Sequence, residues 1–182
     1  LGQDNNIRKP LNMWYFYIQF LRLLLTMATR EIITYPAPVL RKKAVKIETF
    51  DDALQELAND MIKTMYKAQG VGLAGNQIGV AQQIVVVDIS TEENEQKNIV
   101  LINPVISEGE GKVPDQEGCL SVLEYSAKVN RFQKIRVTAQ DPQGNELDFI
   151  AQDRFARIIQ HEVDHLHGTL FIDRISTLKR SM

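Results

Sequence analysis

The three histidines of this chain lie close together, at His161, His165 and His167 in the run Q-H-E-V-D-H-L-H-G. The run contains the pattern H-E-x-x-H. This pattern predicts a helix, because on a helix its spacing brings both histidines to one face. Residues four apart on a helix project from one face about one turn apart, so His161 and His165 can bind the same metal ion. Glu162 lies beside them, where its carboxylate can accept a proton from water. His167 is rotated about 200° from His165 and is predicted to be structural or exposed.

The length and charge of the chain exclude several classes of protein. At 182 residues, it is long enough to form one domain with its own core. A net charge of -2 provides no positive field for nucleic acid, so no direct binding to RNA or DNA is expected. The single cysteine, Cys119, cannot form an internal disulfide. A buried apolar residue, a reactive thiol and a metal ligand remain open as its roles.

The beginning of the chain differs from the rest. Residues 11–27 are strongly apolar and aromatic, with one charge at Arg22. This stretch is shorter than the about 20 apolar residues of a membrane span, and no A-x-A cleavage pattern follows it, so no membrane span is predicted. Met27 followed by Ala28 is typical of a translation start. We therefore expect residues 1–26 to be an artificial extension or a targeting remnant, and residues 27–182 to form a single domain.

Hydrophobic periodicity predicts two helices. The first is capped by Asp51 or Asp52 and stopped by Gly70. Its apolar residues follow the i, i+3, i+4 spacing of one buried face: Leu54, Leu57, Ala58, Met61, Ile62, Met65 and Tyr66. The second carries the histidines and is predicted to be capped by Asp153 and to end at Gly168. The residues expected to face the core from it are Phe155, Ile158, Ile159 and Leu166.

Four strands are predicted, at 84–87, 99–102, 135–140 and 146–151. The second is expected to end before Asn103-Pro104. The last two are expected to form a hairpin, because the turn-forming residues 141–145 separate them. Strands precede a terminal helix instead of alternating with helices, which favours the α+β class over α/β.

A glycine-rich segment, residues 70–79, follows the first predicted helix and contains four glycines. It can be a flexible connector, or a place where the backbone approaches a ligand closely, for which glycine is suited. In the second interpretation, the Gln77 amide points into a site. No Lys-Ser or Lys-Thr pair follows, so a phosphate-binding loop is not indicated.

The two helical histidines need a further ligand, because a catalytic metal site commonly has three protein ligands and one open position. The chain offers Cys119, in the segment E-G-C-L-S. Three segments, G-V-G-L-A-G-N-Q, E-G-C-L-S and Q-H-E-V-D-H-L, resemble in order and spacing the hallmarks of the peptide deformylase family. Those hallmarks are close to G-x-G-L-A-A-x-Q, E-G-C-L-S and Q-H-E-x-D-H-L. The resemblance covers nearly all of residues 27–176, so residues 27–182 are expected to be a catalytic domain of this kind.

The resemblance implies a fold and a set of site residues. The fold would be mixed, mainly antiparallel sheets packed around a central metal-bearing helix. The metal ligands would be Cys119, His161 and His165, with Glu162 as the base and Gln77 beside the metal. The cofactor would be one divalent metal, Fe²⁺ in the cell, with Zn²⁺, Ni²⁺ or Co²⁺ in purified protein.

The resemblance also implies a substrate, a nascent polypeptide whose N-terminal methionine is formylated, and formate as a product. The location would be a bacterial cytoplasm or an organellar stroma or matrix, with transient ribosome association as a further partner. Negative charge developing on the formyl oxygen could be met by the Gln77 amide and the Leu120 backbone N–H. Gly72 and the Leu120 segment could exclude larger acyl groups. Val71 and Ile158, with the His161 ring, could form the methionine pocket.

Two positions depart from the family pattern, Gly75 where a second alanine is usual and Leu123 where a proline is common. Gly75 is expected to loosen the backbone beside the site. Two other functions remain as alternatives: an H-E-x-x-H endopeptidase and a non-enzymatic, metal-stabilised binding protein. The endopeptidase would need a downstream His or Glu ligand, and no histidine follows His167. A structural metal site would have no use for Glu162 and Gln77.

Overall fold

The computed structural model describes residues 29–90 and 97–175. The predicted extension at 1–26 lies outside these residues. None of the helices in the described ranges is long and apolar enough to cross a bilayer. The described elements are two α-helices and five strands: α1 (Asp52–Lys67), β1 (Gly72–Ala74), β2 (Ile84–Asp88), β3 (Asn98–Cys119), β4 (Val122–Gln140), β5 (Glu146–Gln152) and α2 (Asp153–Leu166).

The strands of the described residues form one antiparallel sheet in the order β1-β2-β3-β4-β5. The α+β class is confirmed, and so is the hairpin formed by β4 and β5. The mainly antiparallel pairing is confirmed, but the strands described make one sheet and not several, with one isolated parallel bridge, Val45 to Gln82. β3 and β4 are joined through the two residues Leu120 and Ser121, which places Cys119 at the tip of a long hairpin.

The sheet lies between the two helices, and the strand β2 is packed on both of its faces. Val85 and Val87 belong to the core that contains the buried face of α2. Ile84 and Val86 belong to a second core with the apolar face of α1. A strand covered on both sides has no need of alternating polar residues, which explains the run I-V-V-V. α2 contacts all five strands and thereby spans the sheet.

The start of α1 agrees with the sequence, and the start of α2 differs. The predicted stop of α1 at Gly70 is displaced, because α1 ends at Lys67 and Gln69 has the positive φ, 56°. The Asp51 carboxylate accepts a hydrogen bond from the Leu54 backbone N–H at 3.0 Å and caps α1. The prediction that Asp153 caps α2 is wrong. Gln152 occupies the capping position without a side-chain bond, and Asp153 is the first helical residue. The Asp153 carboxylate is instead bonded by the Gln133 side-chain amide, at 2.8 Å.

The prediction that a strand ends before Asn103 is also wrong, because β3 continues to Cys119. The pairing with β4 shifts register between Ile102 and Val105, so the strand is interrupted by an irregularity and not terminated. The Asn103 side chain compensates for the interruption by bonding both the N–H and the carbonyl of Ile47, at 2.9 and 2.8 Å.

The glycine-rich segment is closely packed. It forms β1 and a 3₁₀ turn, Gly75–Ile78, all of whose residues are buried. A Cβ at Gly75 would lie 2.6 Å from the carbonyl oxygen of Val80 and 2.8 Å from that of Gln82. The structure thus gives Gly75 a packing role, in place of the looser backbone expected from the sequence.

An arm that precedes α1 lies across the two loops that follow β1 and β3. The Ile33 N–H donates to the Gln77 carbonyl at 2.7 Å, and the Tyr35 N–H donates to the Ser121 carbonyl at 2.8 Å. Leu40, in a short 3₁₀ helix at Pro38–Arg41, is fully buried and anchors the arm. These contacts hold the two loops at a fixed separation.

Candidate active site

α2 carries His161, Glu162 and His165 on its buried side, facing β1 and the end of β3. The apolar core beneath the helix fixes its position, because Ile159, Val163 and Leu166 are all buried against the sheet. His167, at the end of the helix, is exposed, as predicted, and its Nδ1 lies 2.8 Å from the Val163 carbonyl.

Cys119, His161 and His165 offer one ligand atom each, and these three atoms lie within 4.8 Å of one another. The Cys119 Sγ is 3.2 Å from the His165 Nε2. Thiolate and imidazole are ligands suited to zinc, iron, nickel and cobalt. The donor set therefore fits a single divalent transition metal.

Electrostatics also favours a cation at this point. Burial alone would lower the pKa of His161, but hydrogen bonds to Cys119 and Glu117 raise it to about 10. Burial, together with the charge of His161, lowers the pKa of His165 well below its usual value, so its ring is neutral. A neutral ring is the form that binds metal, and at His161 a bound cation would replace the proton that the hydrogen bond to Cys119 stabilises. The His165 Nδ1 is buried without a hydrogen-bond partner among the described residues.

The His161 ring is oriented by Glu117, whose Oε2 lies 3.0 Å from the ring Nδ1. Glu117 accepts two further bonds from Arg131, both at 2.9 Å. Burial alone would raise the pKa of Glu117, but the hydrogen bonds from His161 and Arg131 lower it to about 2. A carboxylate on the far nitrogen fixes the tautomer of a histidine ligand and directs Nε2 toward the metal.

Arg131 extends this network away from the site. Its guanidinium also pairs with Asp164, which in turn pairs with Arg174. Arg131 and Asp164 are both buried, so the ion pairs hold α2 to β4 in a region of low dielectric.

The Glu162 carboxylate is 4% exposed and lies directly over Gly72. Its Oε2 has no hydrogen-bond partner in the described part of the chain. Burial raises the pKa of Glu162 to about 7, so the group can both accept and release a proton near neutral pH. A buried carboxylate without a partner for one oxygen is costly in a purely structural role.

The Gln77 amide is held at both ends. Its Oε1 accepts a hydrogen bond from the Ala74 N–H at 2.8 Å. Its Nε2 donates to the Ser121 Oγ at 3.2 Å and makes a longer contact of 3.6 Å with the Cys119 Sγ. Ser121 was not predicted as a site residue, although it belongs to the E-G-C-L-S segment, and that membership was the available signal.

A cavity of about 480 Å³ opens beside these groups. It is lined by all the residues predicted to contact substrate, together with most of the predicted catalytic and metal-binding ones: Val71, Gly72, Gln77, Cys119, Leu120, Ile158, His161 and Glu162. His165 does not line the cavity, although its Nε2 lies 3.2 Å from the Cys119 Sγ. The cavity also has charged walls that the sequence did not indicate, formed by Asp115, Arg154 and Arg157.

Comparison with known proteins agrees with the geometry of the site. The sequence profile described as polypeptide deformylase matches residues 29–181. The chain belongs to this family. A peptide deformylase of Desulfotalea psychrophila is 48% identical over 157 residues, which cover 86% of this chain and 93% of that protein.

Solved structures of the family share the fold. The crystal structure of a peptide deformylase from Legionella pneumophila superposes with a TM-score of 0.80 at 44% identity, covering 85% of this chain and 90% of the other. The peptide deformylase from Thermotoga maritima gives a TM-score of 0.77 at 37% identity, covering 82% and 99%. The chain is thus a metal-dependent hydrolase that removes the N-formyl group from nascent polypeptides.

Proposed function

We propose that Cys119, His161 and His165 hold one divalent metal and that Glu162 is the general base of formyl hydrolysis. The observation that carries this proposal is the convergence of three ligand atoms within 4.8 Å at the end of a cavity that Glu162 also lines. The ligands come from two distant parts of the chain, the β3–β4 hairpin and α2. Such a convergence is not required by packing alone.

The bound metal would supply Lewis acidity, by lowering the pKa of water and polarising the formyl oxygen. Glu162 then accepts the proton of the attacking water, because its pKa of about 7 matches that task. The same carboxyl group delivers the proton to the departing amine. Its Oε2, which has no hydrogen-bond partner among the described residues, would hold this proton between the two transfers.

The negative charge that develops on the formyl oxygen needs donors that are already in position. The Gln77 Nε2 provides one N–H, because its 3.6 Å contact with sulfur is the weaker of its two bonds. The Leu120 backbone N–H, next to Cys119 in the hairpin turn, provides the second. Loss of one such donor typically costs about 2.7–4 kcal/mol of transition-state stabilisation.

Selectivity for formylmethionine follows from the walls of the cavity. Gly72 and Leu120 line the same cavity as Cys119 and His161, and they would leave little room there for an acyl group larger than formyl. Val71 and Ile158, with the ring of His161, provide the apolar surface for the methionine side chain. Equal rates on formyl-Met-Ala and acetyl-Met-Ala would contradict this assignment.

Fe²⁺ is the metal that we propose for the cell, with Zn²⁺, Ni²⁺ or Co²⁺ in purified protein, because the affinity of a Cys-His₂ set does not choose among them. Elemental analysis of protein prepared without oxygen, paired with turnover, tests this choice. We also propose that residues 27–182 form one catalytic domain, that it acts in a bacterial cytoplasm or an organelle, and that it meets its substrate by transient ribosome association.

The base is tested by Glu162→Gln. The variant should keep one metal per chain, because Glu162 is not a ligand, while kcat falls by about 10²–10⁴-fold. Glu146→Gln, an exposed change on β5, is the matched control and should behave as the unaltered protein. Cys119→Ala should lose metal as well as activity. Full activity of Glu162→Gln would overturn the assignment of the base.

The family membership favours deformylation over the endopeptidase and the non-enzymatic alternatives. An endopeptidase would cleave internal bonds of casein, and a structural metal protein would bind metal without releasing formate. Both alternatives are tested by assaying the metal-loaded protein on casein and on formyl-Met-Ala in parallel.

A further inference from the structure

The charged wall of the cavity lies on α2, upstream of the proposed metal ligands. Arg154, Arg157, Ile158, His161 and Glu162 all line the cavity. Their spacing of three and four residues places them along one side of the helix. At 1.5 Å per residue, Arg154 stands about 10 Å from His161 along the helix axis. A peptide that starts at the ligand atoms and follows this wall reaches Arg154 a few residues later.

The two arginines of this wall differ in their partners. Arg157 is matched by Glu117, at 2.7 Å, and by Asp115, at 3.9 Å, and it also donates to the Val129 carbonyl at 2.9 Å. Arg154 is exposed and forms no hydrogen bond or salt bridge with any described residue. Its charge reaches Asp88 only through space. Arg154 is therefore the arginine of the cavity wall that has no hydrogen-bonded partner among the described residues.

The carboxylates near Arg154 have other partners. Asp88, whose pKa is affected by the charge of Arg154, accepts hydrogen bonds from Tyr66 and Ser90. Glu117 is buried and already shared among Arg131, Arg157 and His161. The Asp115 side chain is 70% exposed and lies next to Arg157. The remaining carboxylate of the cavity, Glu162, lies two helical turns away from Arg154. The Arg154 guanidinium therefore keeps its hydrogen-bond donors available at the cavity wall, and a guanidinium is the group best suited to bind a carboxylate.

We infer that Arg154 makes the enzyme prefer substrates with an acidic side chain at the third residue. The inference rests on the proposed placement of the formyl group beside Cys119, His161 and His165. An extended peptide advances about 3.3 Å per residue, and its side chains alternate between two sides. With methionine directed to the α2 wall, the second side chain points away and the third returns to that wall. The third side chain then lies about 7 Å further along, within reach of Arg154.

The test measures kcat and KM on formylated tetrapeptides with amidated C-termini, so that the terminal carboxylate does not compete. Formyl-Met-Ala-Glu-Ala-amide is compared with formyl-Met-Ala-Gln-Ala-amide to test the third residue. Formyl-Met-Glu-Ala-Ala-amide is compared with formyl-Met-Gln-Ala-Ala-amide to test the second. Glu in place of Gln at the third residue should lower KM about fivefold, the effect of one exposed ion pair. The same change at the second residue should have no effect. The preference should be confined to KM, because Arg154 binds the ground state and the transition state alike.

Two variants of Arg154 test whether it is the source of the preference. Arg154→Gln should abolish it, and Arg154→Glu should reverse it in favour of Lys at the third residue. Arg136→Gln makes the same charge change at a half-buried position of β4, outside the cavity lining, and should leave the preference intact. Added salt should weaken it, since the screening length falls to about 3 Å at 1 M.

The outcomes separate this inference from the function on which it rests. Turnover of all peptides with equal KM for Glu and Gln at the third residue would overturn the role of Arg154 alone. A preference that survives in Arg154→Gln would do the same. Absence of turnover on every formylated peptide would overturn the proposed site, and the inference with it.

Discussion

Gly72 lies against the side chain of Glu162, and this contact sets where the carboxylate can stand. A Cβ at Gly72 would come within 2.9 Å of both Cγ and Cδ of Glu162. The neighbour cannot retreat easily, because Glu162 is buried between α2 and β1. The glycine therefore acts through the space that it leaves for the proposed base.

Gly72→Ala should displace Glu162 and lower kcat by about 10²-fold, since a misplacement of about 1 Å can cost that much. Metal content should stay unchanged. Gly118→Ala is the control, because a Cβ there meets nothing within 4 Å although it precedes Cys119. An increase in KM with unchanged kcat would show that the alanine narrows the cavity and leaves the base in place.

Individual residues of the candidate site could be predicted from the sequence where they belong to a local sequence pattern. Helical spacing alone predicted that His161 and His165 share a metal ion. Cys119 and Gln77 were candidates from their sequence surroundings, and the family resemblance gave them their roles. Arg154 could not be found in this way. Its position on the cavity wall depends on how α2 crosses β1 and on where the β3–β4 hairpin ends, and neither is encoded in the residues around it.

The amino end of α1 shows how one side chain defines the start of an element. Both Asp51 and Asp52 were candidates for the cap, and the structure assigns the role to Asp51. Asp52, the first helical residue, is placed to interact with the helix dipole.

Asp51→Ala should destabilise the protein by about 1 kcal/mol, because the Leu54 N–H loses its acceptor. Asp52→Ala, the matched control, should cost less, since it removes only a dipole interaction of a few tenths of a kcal/mol. Urea denaturation measures both. Neither variant should change kcat, and equal losses would contradict the assignment of the cap.

Helices and strands were predicted well where burial sets a regular spacing of apolar residues along the sequence, and poorly elsewhere. α1 has one apolar face, and β2 is apolar throughout, so both were found. The outer part of β3, from Glu108 to Gln116, is exposed, so its sequence carries no alternation of apolar and polar residues. It is held as a strand by pairing with β4 across the register shifts, which is a tertiary effect.

At the scale of the molecule, Glu117 connects three elements. It lies on β3 and bonds His161 on α2 and Arg131 on β4. Its folded pKa of about 2 lies below the ordinary value of 4.5. A carboxylate with a lowered pKa stabilises the fold above its ordinary pKa, and the stabilisation disappears as pH falls through the folded value.

Acidification from pH 6 toward pH 2 should therefore remove up to about 3 kcal/mol of stability through Glu117. Glu117→Gln should be less stable at pH 6, because it leaves Arg131 underpaired, and the gap to the unaltered protein should narrow below pH 4. Urea midpoints at several pH values measure the gap. Subtracting the two curves cancels the other titrating groups. A gap that is constant with pH would contradict the role of Glu117.

The proposed site joins parts of the chain that are far apart in sequence. Gln77 and Cys119 are separated by 42 positions, and Cys119 and His165 by 46. Contacts between such distant positions form late, because the entropy cost of closing a long loop must be met before the contacts stabilise the fold. Recovery of formate release during refolding should therefore lag behind the return of helical circular dichroism. Recovery of turnover would then report the time at which the final long-range contacts form.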